Sequence, residues 1–94
     1  MATDGQVATQ PARSPLGRAR RGFRGRIEAI VVGDSASGLL QDELERRLIE
    51  LGFIESATVD ILHEGAVSHD PIAVRVNDAT VAIRRREAMA ILVV

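Results

Sequence analysis

Apolar side chains recur along this chain with two different periods, and the change of period divides it into elements. Between residues 40 and 51 the repeat is helical: Leu40, Leu44, Leu48 and Leu51 step by four, four and three, which is one face of an α-helix. Asp42, Glu43 and Glu45 precede Arg46 and Arg47, the order that complements the helix dipole. Asp42–Arg46 and Glu43–Arg47 are i,i+4 pairs, worth about 0.2–0.5 kcal/mol each when formed. Ser37 is the expected N-cap and Gly52 the expected left-handed residue beyond the last turn. Downstream the period falls to two. Val59 and Ile61, then Ile72, Val74 and Val76, then Val81 and Ile83 alternate with polar or small neighbours, which predicts strands. Asn77-Asp78 separates the last two runs as a tight turn, because both residues tolerate positive φ. Arg85–Ala90 has the length of one helical turn, and Ile91–Val94 is a wholly apolar strand.

Upstream, Arg26–Val32 has strand composition but no clean alternation, which predicts either burial on both faces or a bulge. Residues 33–38 are a Gly/Asp/Ser turn cluster. Four or five short strands around one helix predict a mainly β fold, a small antiparallel barrel or curled sheet. An apolar last strand left at an open edge would recruit other chains, so Ile91–Val93 is expected to pair with the first strand. Residues 1–15 carry almost nothing bulky and are expected to be a disordered tail, with the domain at 16–94.

Composition narrows the function. Ninety-four residues make one domain with a thin core. Cysteine is absent, which removes disulfides, thiolate catalysis and thiolate metal sites. With no Trp or Tyr and only Phe23 and Phe53, neither base stacking nor an aromatic groove for Pro-rich peptides can be built. Charge is uneven: residues 1–26 hold six Arg against Asp4, and residues 27–94 hold six Arg against twelve acids. The stretch Arg18–Arg26 could meet phosphate, but it lacks aromatic interleaving and a recognition helix, so specific nucleic-acid binding is not expected. A solvated basic face beside an acidic domain is the simpler account. No run is long or apolar enough for a signal peptide or a membrane span, which predicts a cytoplasmic protein.

Catalytic templates fail in turn. Neither His63 nor His69 has an evident nucleophile partner. No glycine-rich phosphate loop is present, and without Lys the P-loop motif cannot be written. Asp42, Glu43 and Glu45 at a helix start complement the dipole before they do acid/base work. The tract His63-Glu64-Gly65-Ala66-Val67-Ser68-His69-Asp70 is the one metal-like cluster. Its spacing fits no zinc template, so a solvated hairpin loop is expected, with His63 and His69 as weak ligand candidates. No catalytic residue, no cofactor and no tight Fe²⁺ site are expected. What remains is a small binding module.

The segment Arg46-Arg47-Leu48-Ile49-Glu50-Leu51-Gly52-Phe53 resembles the RRL-x-ELGF signature of the ferrous iron transport protein A family of small bacterial proteins. The likeness continues in order through Val59–Leu62, Asp70–Val76, Val81–Arg85, Glu87-Ala88 and Ile91, with Leu16, Gly22, Gly25, Ile27 and Ile30 upstream. It implies an SH3-like barrel with the helix across one opening. It also implies an accessory role in ferrous iron uptake, by contact with the cytosolic part of a membrane transporter. Leu51, Phe53, Arg84, Arg85 and Arg86 are the contact candidates, with ordinary core an equal expectation for Phe53. A metal-responsive regulatory SH3-like domain, of the kind that ends certain iron-dependent repressors, is the alternative. One solid helix and no helix-turn-helix favour the first. Self-association stays open. Where the family favours Gly, this chain has Ser56, His69 and Asp78, so positive φ is expected at those turns.

Overall fold

A computed structural model describes residues 13–32 and 38–94, and for residues 38–40 the backbone only. The expected tail up to residue 12, the turn cluster at 33–37 and the Ser37 cap lie outside the described residues. The elements are β1 (Ser14–Pro15), a 3₁₀ turn (Leu16–Arg18), β2 (Arg24–Ile30), α1 (Gly38–Glu50), β3 (Thr58–Val67), β4 (Asp70–Val76), β5 (Ala79–Ile83), α2 (Arg85–Ala88) and β6 (Ile91–Val93). All six strands form one antiparallel sheet in the order β1-β6-β2-β3-β4-β5. The fold is mainly β, as the period-two runs require.

The apolar last strand is where its composition demands. β6 pairs with β2 through Ile27↔Val93, Ala29↔Leu92 and Ile30↔Ile91, and with β1 through Ser14↔Val93 and Pro15↔Leu92. Ile91 and Val93 are fully buried there. The broken alternation of β2 is a register shift between Ile27 and Ala29, so the bulge is the correct alternative. At the bulge Ile27 donates to the Ala57 carbonyl at 2.9 Å and accepts from the Ser56 N–H at 2.8 Å. Ordered structure begins at least two residues before Leu16, since Ser14 and Pro15 already pair.

Inward residues of every strand but β1 meet in one core: Ile27, Val59, Ile61, Ile72, Val74, Val76, Ile83, Ile91 and Val93, joined by Leu16, Leu48 and Phe53. Each such side chain contributes about 1.5–3 kcal/mol on burial. Among the described side chains of α1, Leu48 is the one driven into this core, with Leu44 and, just past the helix, Leu51 half-buried against it. The expected pairs Asp42–Arg46 and Glu43–Arg47 do not form. Arg47 instead reaches Glu87 Oε2 at 2.9 Å and ties α1 to α2. A longer side chain can leave its own helix when a half-buried carboxylate on a neighbour offers a better-fixed partner.

Candidate interaction surface

The signature at the end of α1 has a backbone explanation. The Phe53 N–H donates to the Leu48 carbonyl at 2.9 Å and the Gly52 N–H to the Ile49 carbonyl at 3.0 Å. Gly52 has φ +105°, and Leu48 and Phe53 are both fully buried. Those are the two hydrogen bonds, the left-handed residue and the apolar clasp of a Schellman motif. The Leu-Gly-Phe corner therefore ends the helix and seals the core. Phe53 has no surface to offer a partner, which settles it as core. Leu51 is half-buried, and the exposed apolar residues beside the corner are Ile49 and Ile54. Ile49 sits with Asp42, Glu45, Arg46 and Glu50 around a shallow groove on the outer face of α1.

The three consecutive arginines behave differently from one another. Arg84 and Arg86 are exposed, but Arg85 turns inward with a side chain only 19% exposed. Its guanidinium donates to Glu64 Oε2 at 2.6 Å, Ala19 O at 2.7 Å, His69 O at 2.8 Å and Gly17 O at 3.1 Å. Its backbone N–H donates to Asp70 Oδ1 at 2.9 Å. One cation thus joins the 3₁₀ turn, the β3–β4 hairpin and α2. Arg85 was expected among the exposed contact candidates, and burial corrects that. A signal was present in the sequence: Arg85 precedes the buried Ala88 by three, so the two share a helix face.

The His63–Asp70 tract is not a loop. β3 runs on to Val67 and pairs Glu64↔Ile72 and Val67↔Asp70, leaving only Ser68 and His69, both at positive φ, as the turn. Gly65 makes the tight hairpin workable, because a Cβ there would fall on the Asp70 backbone. His63 and His69 are exposed. Glu64 and Asp70 already serve Arg85, and His69 Nδ1 stands 3.8 Å from Glu64 Oε1. Among the described residues no three His, Cys, Asp or Glu side chains converge on a metal position.

Of the expected turn positions, Ser56 (φ 75°) and His69 (φ 58°) do stand in the left-handed region. Asp78 does not; Asn77 carries the positive φ (55°) instead. That is the φ pattern of a type II′ hairpin turn, in which the first central residue bears the unusual conformation.

Residues 14–94, nearly the whole described chain, match the FeoA domain. The chain belongs to the FeoA family. FeoA from Stenotrophomonas maltophilia, solved with zinc, is 25% identical over 85% of this chain and 88% of its own, with a TM-score of 0.68. For that prokaryotic SH3-domain protein a role as a ferrous iron transport activating factor has been suggested. FeoA from Chlorobium tepidum is 29% identical over 84% of this chain and 67% of its own, with a TM-score of 0.65. A manganese-dependent transcriptional repressor has the same fold at 23% identity and a TM-score of 0.71, and the chain spans 46% of its length. No curated protein matches the chain. The FeoA family is associated with ferrous iron transport, and the SH3-like barrel implied by the Leu-Gly-Phe segment is the fold observed. Among the described residues of this FeoA domain, no helix is long and apolar enough to cross a membrane.

Proposed function

We propose that this FeoA domain is a cytoplasmic accessory protein of ferrous iron uptake, acting by contact with the cytosolic part of a membrane ferrous iron transporter. It carries out no catalysis and holds no tightly bound metal. The family match over residues 14–94 carries the proposal. The chemistry of the side chains agrees with it: the two carboxylates nearest the histidines are engaged by Arg85, which leaves surface contact as the work available. The proposed contact residues are Ile49 of α1 and Ile54, both exposed beside the Leu-Gly-Phe corner, the half-buried Leu51, and the exposed Arg84 and Arg86 at α2. The regulatory alternative has the fold of the repressor behind it and, among the described residues, no cluster of three potential ligands.

Co-purification with the transporter of the same organism tests this, wild type against Ile49→Glu/Arg86→Glu. Both positions are exposed, so the variant is expected to keep its stability to within about 0.5 kcal/mol per site. Retention of the transporter by wild type and its loss with the variant is the expected result. If wild type never retains the transporter, the proposal fails. If both proteins retain it, the partner stands and the proposed contact residues are wrong.

A further inference from the structure

Among the described residues the strand order leaves two edges, β1 and β5, and they are guarded unequally. β1 is two residues long and contains Pro15, which has no N–H to offer. β5 is Ala79-Thr80-Val81-Ala82-Ile83, without a charge, a proline or a bulge. Natural edges of that length are normally blunted by one of those devices.

The geometry of β5 says which of its groups are on offer. Its pairing with β4 is regular from Val76↔Ala79 to Ile72↔Ile83. Val76 and Ala79 flank a two-residue turn and form a hydrogen-bonded pair, so residues 79, 81 and 83 aim their N–H and C=O groups at β4. Thr80 and Ala82 aim theirs outward. Among the described residues neither has a backbone partner on that side. Both side chains are exposed, as are Asp78 and Arg84 just beyond the strand, while Val81 is half-buried.

We propose that two copies of this chain pair antiparallel through β5, about a twofold axis at Val81. In that register Thr80 of each copy lies opposite Ala82 of the other, and each of the two pairs exchanges both backbone hydrogen bonds. Val81 meets its own counterpart on the core side, in the close spacing of a non-hydrogen-bonded pair. Counting on in the same register, Asp78 in the turn of each copy comes level with Arg84, just past the strand of the other; both side chains are exposed. A slip of two residues either way breaks both charge pairs and leaves one backbone pair of the two. The segment is self-complementary: an acid at one end and a base at the other match only when the strand faces its own antiparallel image. A second copy is therefore the occupant, and the contact is isologous and closed.

Such an interface is small, so the dimer is weak and is sought by sedimentation equilibrium from about 10 µM to about 1 mM at low salt. Wild type is expected to pass from monomer to dimer in that range. Ala82→Pro deletes an outward N–H while taking nothing from the β4 ladder, and is expected to stay monomeric with an unchanged circular dichroism spectrum. Asp78→Arg is expected to weaken association about tenfold or more, and Asp78→Arg/Arg84→Asp to restore most of it. In the dimer the Thr80 and Ala82 amides should become protected from exchange as concentration rises. A wild type that is monomeric throughout overturns the proposal. So does a folded Ala82→Pro variant that dimerises like wild type, a charge swap that restores nothing, or Thr80 and Ala82 amides that stay unprotected in the dimer.

Discussion

Replacing Arg85 by Met keeps most of the apolar stem and removes the guanidinium, which isolates what that group does. It leaves Glu64, 17% exposed, without its cation, and frees the carbonyls of Gly17, Ala19 and His69. Taking one partner from a buried ion pair costs about 3–5 kcal/mol, mostly because the other charge is stranded. Both side chains here keep nearly a fifth of their surface in water, which can replace part of the loss, so about 2–4 kcal/mol is expected. At about 0.05–0.15 kcal/mol per residue, a domain of about 80 residues has about 4–12 kcal/mol in all. Arg85→Met should therefore remove a large share of the stability, about 3 of about 8 kcal/mol at the middle of both ranges. With no Trp or Tyr in the chain, urea unfolding is followed by circular dichroism. Arg86→Met, one residue along and exposed, is the control and should move stability by less than about 0.5 kcal/mol. Adding Glu64→Gln to Arg85→Met should return about 1 kcal/mol by removing the stranded charge. Equal midpoints for the Arg85 and Arg86 variants, with unchanged denaturant slopes, would refute the reasoning.

Four further outcomes follow from backbone conformation and ligand chemistry. Ser56→Gly should stabilise by about 0.5–1 kcal/mol, since relief of the left-handed strain exceeds the entropy that Gly adds to the unfolded chain; a lower melting temperature would count against it. Gly52→Ala should cost about 1–2 kcal/mol from φ alone, because a Cβ there meets only Val76 methyls at 3.7 Å. Gly65→Ala should cost more than Gly52→Ala in the same urea assay, since its Cβ lands on backbone; the reverse order would contradict the hairpin geometry. Anaerobic calorimetry with Fe²⁺ should find no micromolar site, and tight binding abolished by His63→Ala/His69→Ala would show that Glu64 or Asp70 leaves Arg85 to take metal.

Much of this fold was legible because its signals are local or strongly periodic. Leu44, Leu48 and Leu51 announce a helix face, and the Ile91–Val93 run could be satisfied only inside the sheet. The β3–β4 hairpin was missed from His63 onward because its outer half alternates nothing: Glu64, Gly65 and Ala66 carry no apolar period, and ladder hydrogen bonds leave no trace in composition. Ser56 and His69 were legible as strained turns. Asp78 was not, because Asn and Asp tolerate the left-handed region alike and only the turn type chooses between them. The site fared worse for a physical reason. Arg84, Arg85 and Arg86 are chemically identical, and what separates them is a set of partners up to 68 positions away in sequence.

The place of β6 between β1 and β2 has a consequence for how the domain comes into being. A ribosome delivers β1 and β2 first, yet the strand that lies between them is the last of the domain to emerge. Until Ile91–Val93 arrives, the edges of β1 and β2 that it will occupy have no occupant, and Leu16 and Ile27 have lost two neighbours of their core. Contacts between residues so far apart are slow to form and leave the nascent chain exposed to association in the meantime. Folding of this domain is thus gated by its final strand. A chain stalled after Ala90 should remain protease-sensitive on the ribosome, and protection appearing only with longer stalled chains is the signature to look for.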